Sequence, residues 1–269
     1  MRILDQEVDK SGIIKSEYRI IIGEKYIRYI FVDPEVFSAE ILTSPDALLD
    51  HLPPLPAGEW KQVRISRKPK GEGGEVYLEP TSGGTAEVET VWHPRRVDVL
   101  SIQDKFENDL STLVKTVTLG DGVRAVAKIA RFDFEIPRIE QETKVYKTIE
   151  GKEIGPAFLG HITEEGRVMG FLIEYVEGEK AGRKHLEACR SLLKRLHGFG
   201  IAHRDCNRYN FLAATDGRVR LIDFETAVFD GDAEEMTKEY EQLKAQLTET
   251  TGRGGEAADW NPEDTAEKE

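Results

Sequence analysis

The run from Asn210 to Asp223, Asn-Phe-Leu-Ala-Ala-Thr-Asp-Gly-Arg-Val-Arg-Leu-Ile-Asp, constrains the fold of this chain more than any other segment. Asp-Gly flanked by apolar residues is a strong hairpin signal, because glycine takes the positive φ that a tight turn requires. A two-residue turn at Asp216-Gly217 predicts strand pairs whose numbers sum to 433, which sets Asn210 opposite Asp223 at the open end. An amide oxygen and a carboxylate then converge on one point, and these are the hard oxygen donors that Mg²⁺ takes from a protein. Asp205 lies five residues before Asn210 and supplies a further carboxylate as proton acceptor. One base and two metal ligands at this spacing are the set that phosphoryl transfer needs.

The rest of the chain limits where such chemistry can sit. With 269 residues, 39% of them apolar, there is material for one large domain or two small ones. A net charge of −13 argues against broad binding to nucleic acid or to an anionic membrane. Two cysteines, Cys189 and Cys206, make neither a disulfide framework nor a zinc pattern, so a reduced, cytoplasmic protein is expected, with a nuclear location also compatible. The stretch Tyr18–Val32 is interrupted by Arg19, Glu24, Lys25 and Arg28 and cannot span a bilayer. Residues 254–269 carry six carboxylates against Lys268 and no apolar period, which reads as a disordered acidic tail.

Local patterns predict strands at Tyr18–Ile22, Tyr26–Val32, Val63–Ser66 and Glu75–Leu78, with Ser44-Pro45-Asp46 opening a short helix to Leu52. Further strands are expected at Val97–Ile102, Ser111–Leu119, Arg124–Ala130, Ala157–Ile162 and Val168–Val176. Helices are expected from Pro137 to near Gly151, over 182–198 with Leu186, Cys189, Leu193 and Leu196 on one face, and over 232–248.

Lys128 sits inside an apolar strand, where a lysine is ordinarily a snorkelling edge residue. In the helix that follows, Ile139, Val145, Tyr146 and Ile149 define a buried stripe that includes Glu142 and leaves out Glu140. A carboxylate on a buried face needs a partner, and Lys128 is the obvious candidate. The alternative is a partly exposed Glu142 paired with Lys144 or Lys147. Glu225 either adds an acidic metal contact or faces solvent. The extended Glu174-Tyr175-Val176-Glu177-Gly178 could read a base edge through its backbone. His203 is expected to be a structural hydrogen-bonder, Arg204 a bracing residue and Cys206 a small filler without a base to activate it.

Together, Lys128, Glu142, the Glu174–Gly178 linker, His-Arg-Asp-x-x-x-x-Asn at 203–210 and Asp-Phe-Glu at 223–225 resemble the protein-kinase-like superfamily over about residues 96–230. The wording around Asn210 and Asp223 is most similar to short kinase-like proteins of filamentous fungi. Asp-Phe-Glu is also similar to aminoglycoside phosphotransferases and choline kinases, and the short length to RIO-type kinases or the small kinase of the KEOPS complex.

The resemblance implies an α+β, two-lobed fold. A β-rich extension would occupy 1–95, a β-rich N-lobe 96–176, a reduced helical C-lobe 177–250 and a disordered acidic tail 251–269. It further implies ATP and Mg²⁺, with Lys128, Glu142, Glu174 and Val176 at the nucleotide, Asn210, Asp223 and Glu225 at the metal, and Asp205 and Lys128 in catalysis. The expected activity is transfer of a γ-phosphate to a hydroxyl of a protein or small molecule, with neither nucleic acid nor membrane as partner. The sequence also departs from the pattern. Residues 103–111, where a glycine-rich loop is expected, hold no glycine but contain Asp104, Glu107 and Asp109. Asn207 stands where serine/threonine kinases carry lysine, and no Ala-Pro-Glu follows Asp223. A nucleotide-binding pseudokinase with a regulatory or scaffold role is the alternative these departures support.

Overall fold

A computed structural model describes residues 1–68, 74–81 and 84–249. The expected acidic tail lies outside these residues, as does most of the Gly71–Gly74 stretch, which the sequence places as a loop between the Val63–Ser66 and Glu75–Leu78 strands. The chain is a mixed α/β structure that divides into two compact units, Met1–Glu87 with Arg131–Phe134, and Val88–Ala130 with the residues from Glu135 onward.

The first unit is a five-stranded sheet in sequential order, β1 (Arg2–Glu7), β2 (Ser16–Ile22), β3 (Tyr26–Val32), β4 (Gln62–Arg67) and β5 (Val76–Thr81). Gly23 and Glu24 both take positive φ and reverse the chain between β2 and β3. The parallel β3–β4 step is bridged by two short helices, α1 (Ala39–Thr43) and α2 (Pro45–His51). Ser38 and Ser44 cap them by accepting the Ile41 and Ala47 amides. Tyr18, Ile20, Ile30, Leu42, Leu48, Val63 and Ile65 form the core, and the Tyr18 hydroxyl donates to the Leu42 carbonyl at 2.7 Å.

The second unit holds a six-stranded sheet and a three-stranded one. The larger contains β6 (Arg96–Asp98), β7 (Phe106–Asp109), β8 (Val114–Thr118), β9 (Arg124–Ile129), β10 (Phe158–Glu164) and β11 (Arg167–Glu174), in the order β6-β10-β11-β9-β8-β7. Helix α3 (Ile136–Thr148) connects β9 to β10. The smaller sheet joins β12 (Gly178–Lys180), β13 (Phe211–Ala214) and β14 (Val219–Leu221). Helix α4 (Leu186–His197) precedes that hairpin and α5 (Ala233–Leu247) follows it.

Two sequence expectations need correction. The strand expected at Val97–Ile102 stops at Asp98, whose carboxylate accepts the Leu100 amide at 2.9 Å and turns the chain into a 3₁₀ helix. Ser111–Leu119 is shorter at its start, because Leu110–Leu113 is the turn of the β7–β8 hairpin. The β7 strand itself carries no period-2 burial that would have marked it, since Glu107, Asn108 and Asp109 are all exposed.

Residues 88–96 are fastened to this unit by side chains acting as acceptors. Glu140 accepts the Glu89 and Thr90 amides and the Thr90 hydroxyl. Buried His161 accepts the Trp92 and His93 amides through Nε2, each at 3.2 Å. That geometry puts the ring proton on Nδ1 and makes protonation of Nε2 costly. Burial, reinforced by His93 and Arg96, lowers the His161 pKa to about 4. The group is protonated more readily in the unfolded chain. It therefore contributes stability above about pH 6.5 that is lost as pH falls toward 4, to a total of about 3 kcal/mol. Urea midpoints of wild type and His161→Gln between pH 7.5 and 4.5 check this. The variant is expected to lose part of the acid slope, and parallel curves would exclude His161 as its source.

Candidate active site

Strand β9 lies between β8 and β11, so its backbone is held on both edges, with Lys128 opposite Val114 on one side and Phe171 on the other. Ala125, Ala127 and Ile129 are buried on one face of the strand, which turns Lys128 to the other. Gly170 on β11 has no room for a side chain, since a Cβ there would lie 2.5 Å from the Lys128 carbonyl oxygen. The lysine is 9% exposed and its ammonium meets three carboxylates: Glu142 of α3, Asp223 at 2.8 Å and Glu225 at 3.5 Å. Glu142 thus takes the long-range partner rather than Lys144 or Lys147. Its Oε2 also accepts the Phe224 amide at 3.3 Å.

One oxygen from each of Glu142, Asp223 and Glu225 lies within 4.8 Å of the others. Burial alone would pull the Lys128 pKa down, but Glu142 and Asp223 outweigh it and hold the group above its ordinary value as an ammonium. Burial pushes Glu142 up to about 7, with Lys128 drawing it back. Three carboxylates against one ammonium leave surplus negative charge, which a divalent cation would neutralise.

The hairpin delivers Asp223 differently from the sequence expectation. Observed pairs are Phe211–Leu221, Leu212–Arg220 and Ala213–Val219, one step off the expected register. The connection is a three-residue loop, Thr215-Asp216-Gly217, closed by the Arg218 carbonyl accepting the Ala214 amide. Gly217 sits at φ +80°, and Asp216 caps the Arg218 amide at 2.9 Å. Asn210 consequently faces Ile222, whose amide it accepts at 3.0 Å. Asp223 then adopts φ +63°, a conformation that Asp tolerates better than most residues. Phe224 is buried against the rings of Tyr146 and His203, each centroid 5.3 Å away.

The 203–210 loop is organised around Asp205. Asn207 donates to one of its oxygens and Asn210 to the other, both at 2.9 Å, and Asn210 also donates to the Asp205 carbonyl. The Asn207 oxygen accepts the Tyr209 amide, so one amide side chain orients the carboxylate and starts the next turn. The Asn210 Oδ1 is left without a protein partner among the described residues. His203 is wholly buried; Nδ1 accepts the Asp205 amide and Nε2 donates to the Ile222 carbonyl, which fits a neutral ring whose pKa burial lowers. Arg204 pairs with Glu235 at 2.8 Å. Burial, with Glu239 and Asp205 beside it, raises the Cys206 thiol well above its ordinary range, which disfavours the thiolate.

Glu239 of α5 is the residue bracing this loop that sequence reasoning missed. Its carboxylate accepts the His203 and Arg204 amides and bonds His197 Nε2 at 2.8 Å. Burial would raise its pKa, but these bonds keep it below the ordinary value. The signal was present in the sequence. Glu239 precedes the buried Leu243 and Leu247 at four-residue spacing, the same logic that singled out Glu142. Glu239→Ala would leave two loop amides unpaired. The expected cost is about 2 kcal/mol in a denaturant titration, with faster amide exchange at His203 and Arg204. Unchanged exchange there would show that the clamp is dispensable.

Glu174 ends β11; its side chain is exposed, accepts the Ala157 amide at 3.3 Å and is not a partner of Lys128. Val176 lies in the extended link to β12, with no hydrogen bond to its backbone N–H among the described residues. The β7–β8 hairpin has no glycine, yet two of its acids are answered locally. Glu107 faces Arg124 at 3.8 Å and accepts the Thr118 hydroxyl, and Asp109 pairs with Lys115.

Residues 172–266 match the family model of the lipopolysaccharide kinase (Kdo/WaaP) family. A probable cAMP-dependent protein kinase catalytic subunit from Encephalitozoon cuniculi is 29% identical over 136 residues. Both matches support a kinase-like superfamily for this chain. The aligned part makes up 44% of this kinase-like chain and spans 42% of that relative. The family-model match begins inside β11 and so takes in Asp205, Asn210, Asp223 and Glu225, but not Lys128 or Glu142. No helix among the described residues of the kinase-like chain is long and apolar enough to cross a membrane.

Proposed function

We propose that this chain is an ATP- and Mg²⁺-dependent phosphotransferase, with the nucleotide held between β-rich and helical lobes of the kinase type. One observation carries the reading. Residues separated by nearly a hundred positions, Lys128 and Asp223–Glu225, meet at hydrogen-bonding distance beside Glu142. Carboxylate oxygens of Asp223 and Glu225 converge with that of Glu142, and the Asn210 side-chain oxygen would complete the set; such all-oxygen donors suit Mg²⁺ better than softer ions. Bound there, Mg²⁺ would neutralise charge on the nucleotide's phosphates.

The chain's own groups have separate tasks. Lys128, held by Glu142, presents its N–H donors to phosphate oxygen. The backbone between Glu174 and Val176 offers a carbonyl and an amide to the base. Asp205, fixed by Asn207 and Asn210, takes the proton from the acceptor hydroxyl. That oxygen forms a bond to the γ-phosphorus as the bond from phosphorus to the ADP oxygen breaks.

Nucleotide binding without transfer is the second reading, favoured by the glycine-free β7–β8 hairpin. Melting temperature with ATP or ADP, with Mg²⁺ and with EDTA, tests the shared premise. Saturating Mg-nucleotide is expected to raise it by several degrees, from about 2.7 kcal/mol of linkage at a hundredfold excess over Kd. No Mg-dependent shift would end both readings. Binding with no ADP release against any hydroxylated acceptor would leave the second.

A further inference from the structure

A cavity of about 260 Å³ opens where the loop joining α3 to β10 meets the end of β11 and strand β14. None of Lys128, Asp205, Asn210, Asp223 and Glu225 lines it, and of the Glu174–Val176 link it touches Glu174 alone. The volume suits a small metabolite. Tyr146, Ile149 and Pro156 supply an apolar wall. Gly155 brings its backbone against that wall, where a Cβ would lie 3.2 Å from Cε1 of Tyr146.

Two buried polar groups of this cavity are poorly satisfied. Tyr146 is 2% exposed, yet its hydroxyl has no hydrogen-bond partner. Burial, reinforced by Glu142 and Asp223, raises its pKa well above the ordinary value, so the hydroxyl stays a donor. A buried hydroxyl left unpaired is costly. Arg220 of β14 is the second group, its side chain 8% exposed. It donates to the Val219 carbonyl at 3.4 Å, and its one carboxylate neighbour among the described residues, Asp216, stands 3.8 Å away. Asp216 is already committed to Arg218 at 2.7 Å. A buried guanidinium compensated this loosely is an incomplete ion pair.

The carboxylates of the cavity are unequally engaged. Glu153 holds Arg218 at 2.6 Å, and Glu174 accepts the Ala157 amide at 3.3 Å. The carboxylate of exposed Glu150 has no ion-pair or hydrogen-bond partner among the described residues. The uncommitted groups are therefore a hydroxyl donor and a guanidinium within, and a carboxylate at the solvent side.

We propose that this cavity binds a free α-amino acid with an apolar side chain. Its carboxylate pairs with Arg220 and accepts from the Tyr146 hydroxyl. Its ammonium faces Glu150, and its side chain lies against Ile149 and Pro156. The ligand carboxylate supplies the charge-assisted bonds that the buried guanidinium lacks. A simple anion would leave Glu150 unanswered, and a simple cation would leave Arg220 so. A protein C-terminus brings the carboxylate without an α-ammonium.

The test uses the full chain without nucleotide and three probes on one branched skeleton. They are leucine, 4-methylpentanoate and 3-methylbutylamine, respectively zwitterionic, anionic and cationic at neutral pH. Calorimetry gives the affinities, and chemical shifts of the Gly151 and Gly155 amides and the Arg220 Nε–H give the location. Leucine is expected to bind about tenfold or more tightly than 3-methylbutylamine, which cannot pair with Arg220. It is expected to bind about threefold more tightly than 4-methylpentanoate, because the Glu150 pair is exposed. Glu150→Lys, a solvent-facing change, is expected to reverse the order of leucine and 4-methylpentanoate. Tyr146→Phe keeps the ring and removes an unpaired buried hydroxyl. It is expected to hold or raise the melting temperature while weakening leucine about fivefold, a split that a structural role alone would not produce. Arg220→Gln is expected to abolish leucine binding.

Absence of leucine binding, shifts centred elsewhere, or 3-methylbutylamine binding as tightly as leucine would overturn the inference. Equal binding of leucine and 4-methylpentanoate would point to a bare carboxylate such as a chain terminus, and would also overturn it. So would an unaltered ranking in Glu150→Lys, or wild-type leucine affinity in Tyr146→Phe or in folded Arg220→Gln. If Arg220→Gln does not fold, the other two variants decide.

Discussion

Lys128→Met is expected to reduce Mg-ATP turnover by about 10²- to 10³-fold, the scale for removing one preorganised charge from developing phosphate charge. Methionine keeps most of the side-chain volume, so packing between β8 and β11 should survive. The electrostatic effect is larger. Removing the ammonium leaves Glu142, Asp223 and Glu225 facing one another with oxygens within 4.8 Å. Glu142, already raised to about 7 by burial, is expected to take up a proton at neutral pH, which holds the stability loss to no more than about 3 kcal/mol. Surplus carboxylate also predicts greater stabilisation by Mg²⁺ or Mn²⁺ in the variant than in wild type. ADP-release rates and melting curves with and without divalent ion measure both effects. Wild-type turnover in Lys128→Met would remove the lysine from the chemistry.

Asp205→Asn should lower kcat by about 10²- to 10⁴-fold with nucleotide binding intact, because asparagine copies the shape of the side chain but cannot accept the acceptor's proton. It also replaces one acceptor oxygen by an N–H donor. One of the bonds from Asn207 and Asn210 would then become donor facing donor, at a cost of about 1–3 kcal/mol. The two readouts separate roles. A lower melting temperature with unchanged turnover would make Asp205 a loop organiser only. A loss of turnover beyond what reduced stability explains, with the nucleotide-induced melting shift preserved, is the outcome expected of a proton acceptor.

The amino-acid order exposed some of this site and hid the rest for identifiable reasons. Glu142 was legible because a carboxylate on a helical apolar stripe must be compensated, and the structure supplies Lys128. Glu239 obeys the same rule beside Leu243 and Leu247, but α5 is so rich in charge that its narrow buried face is hard to see. Glu140 is off the α3 stripe, yet it holds residues 89 and 90, a task set by a segment fifty positions earlier. The Asp-Gly signal located the 211–221 hairpin but not its loop length. Two- and three-residue turns share that dipeptide, and the choice rests on where Gly217 takes its positive φ. Val97–Ile102 looked extended throughout because apolar alternation cannot register that Asp98 caps the following turn.

What the sequence determined by itself was an inventory with spacing: a lysine in a strand, a glutamate on a buried helical face, and carboxylates and amides around a hairpin. Local periodicity and turn chemistry act over a few residues, so they suffice to set such elements. Only the tertiary structure decided that Glu142 partners Lys128, that Asn207 and Asn210 divide the two oxygens of Asp205, and that Arg220 lies buried beside a cavity with its one carboxylate neighbour among the described residues 3.8 Å away. Those outcomes depend on which long-range partner compensates each desolvated charge, a competition settled by packing of segments far apart in the chain.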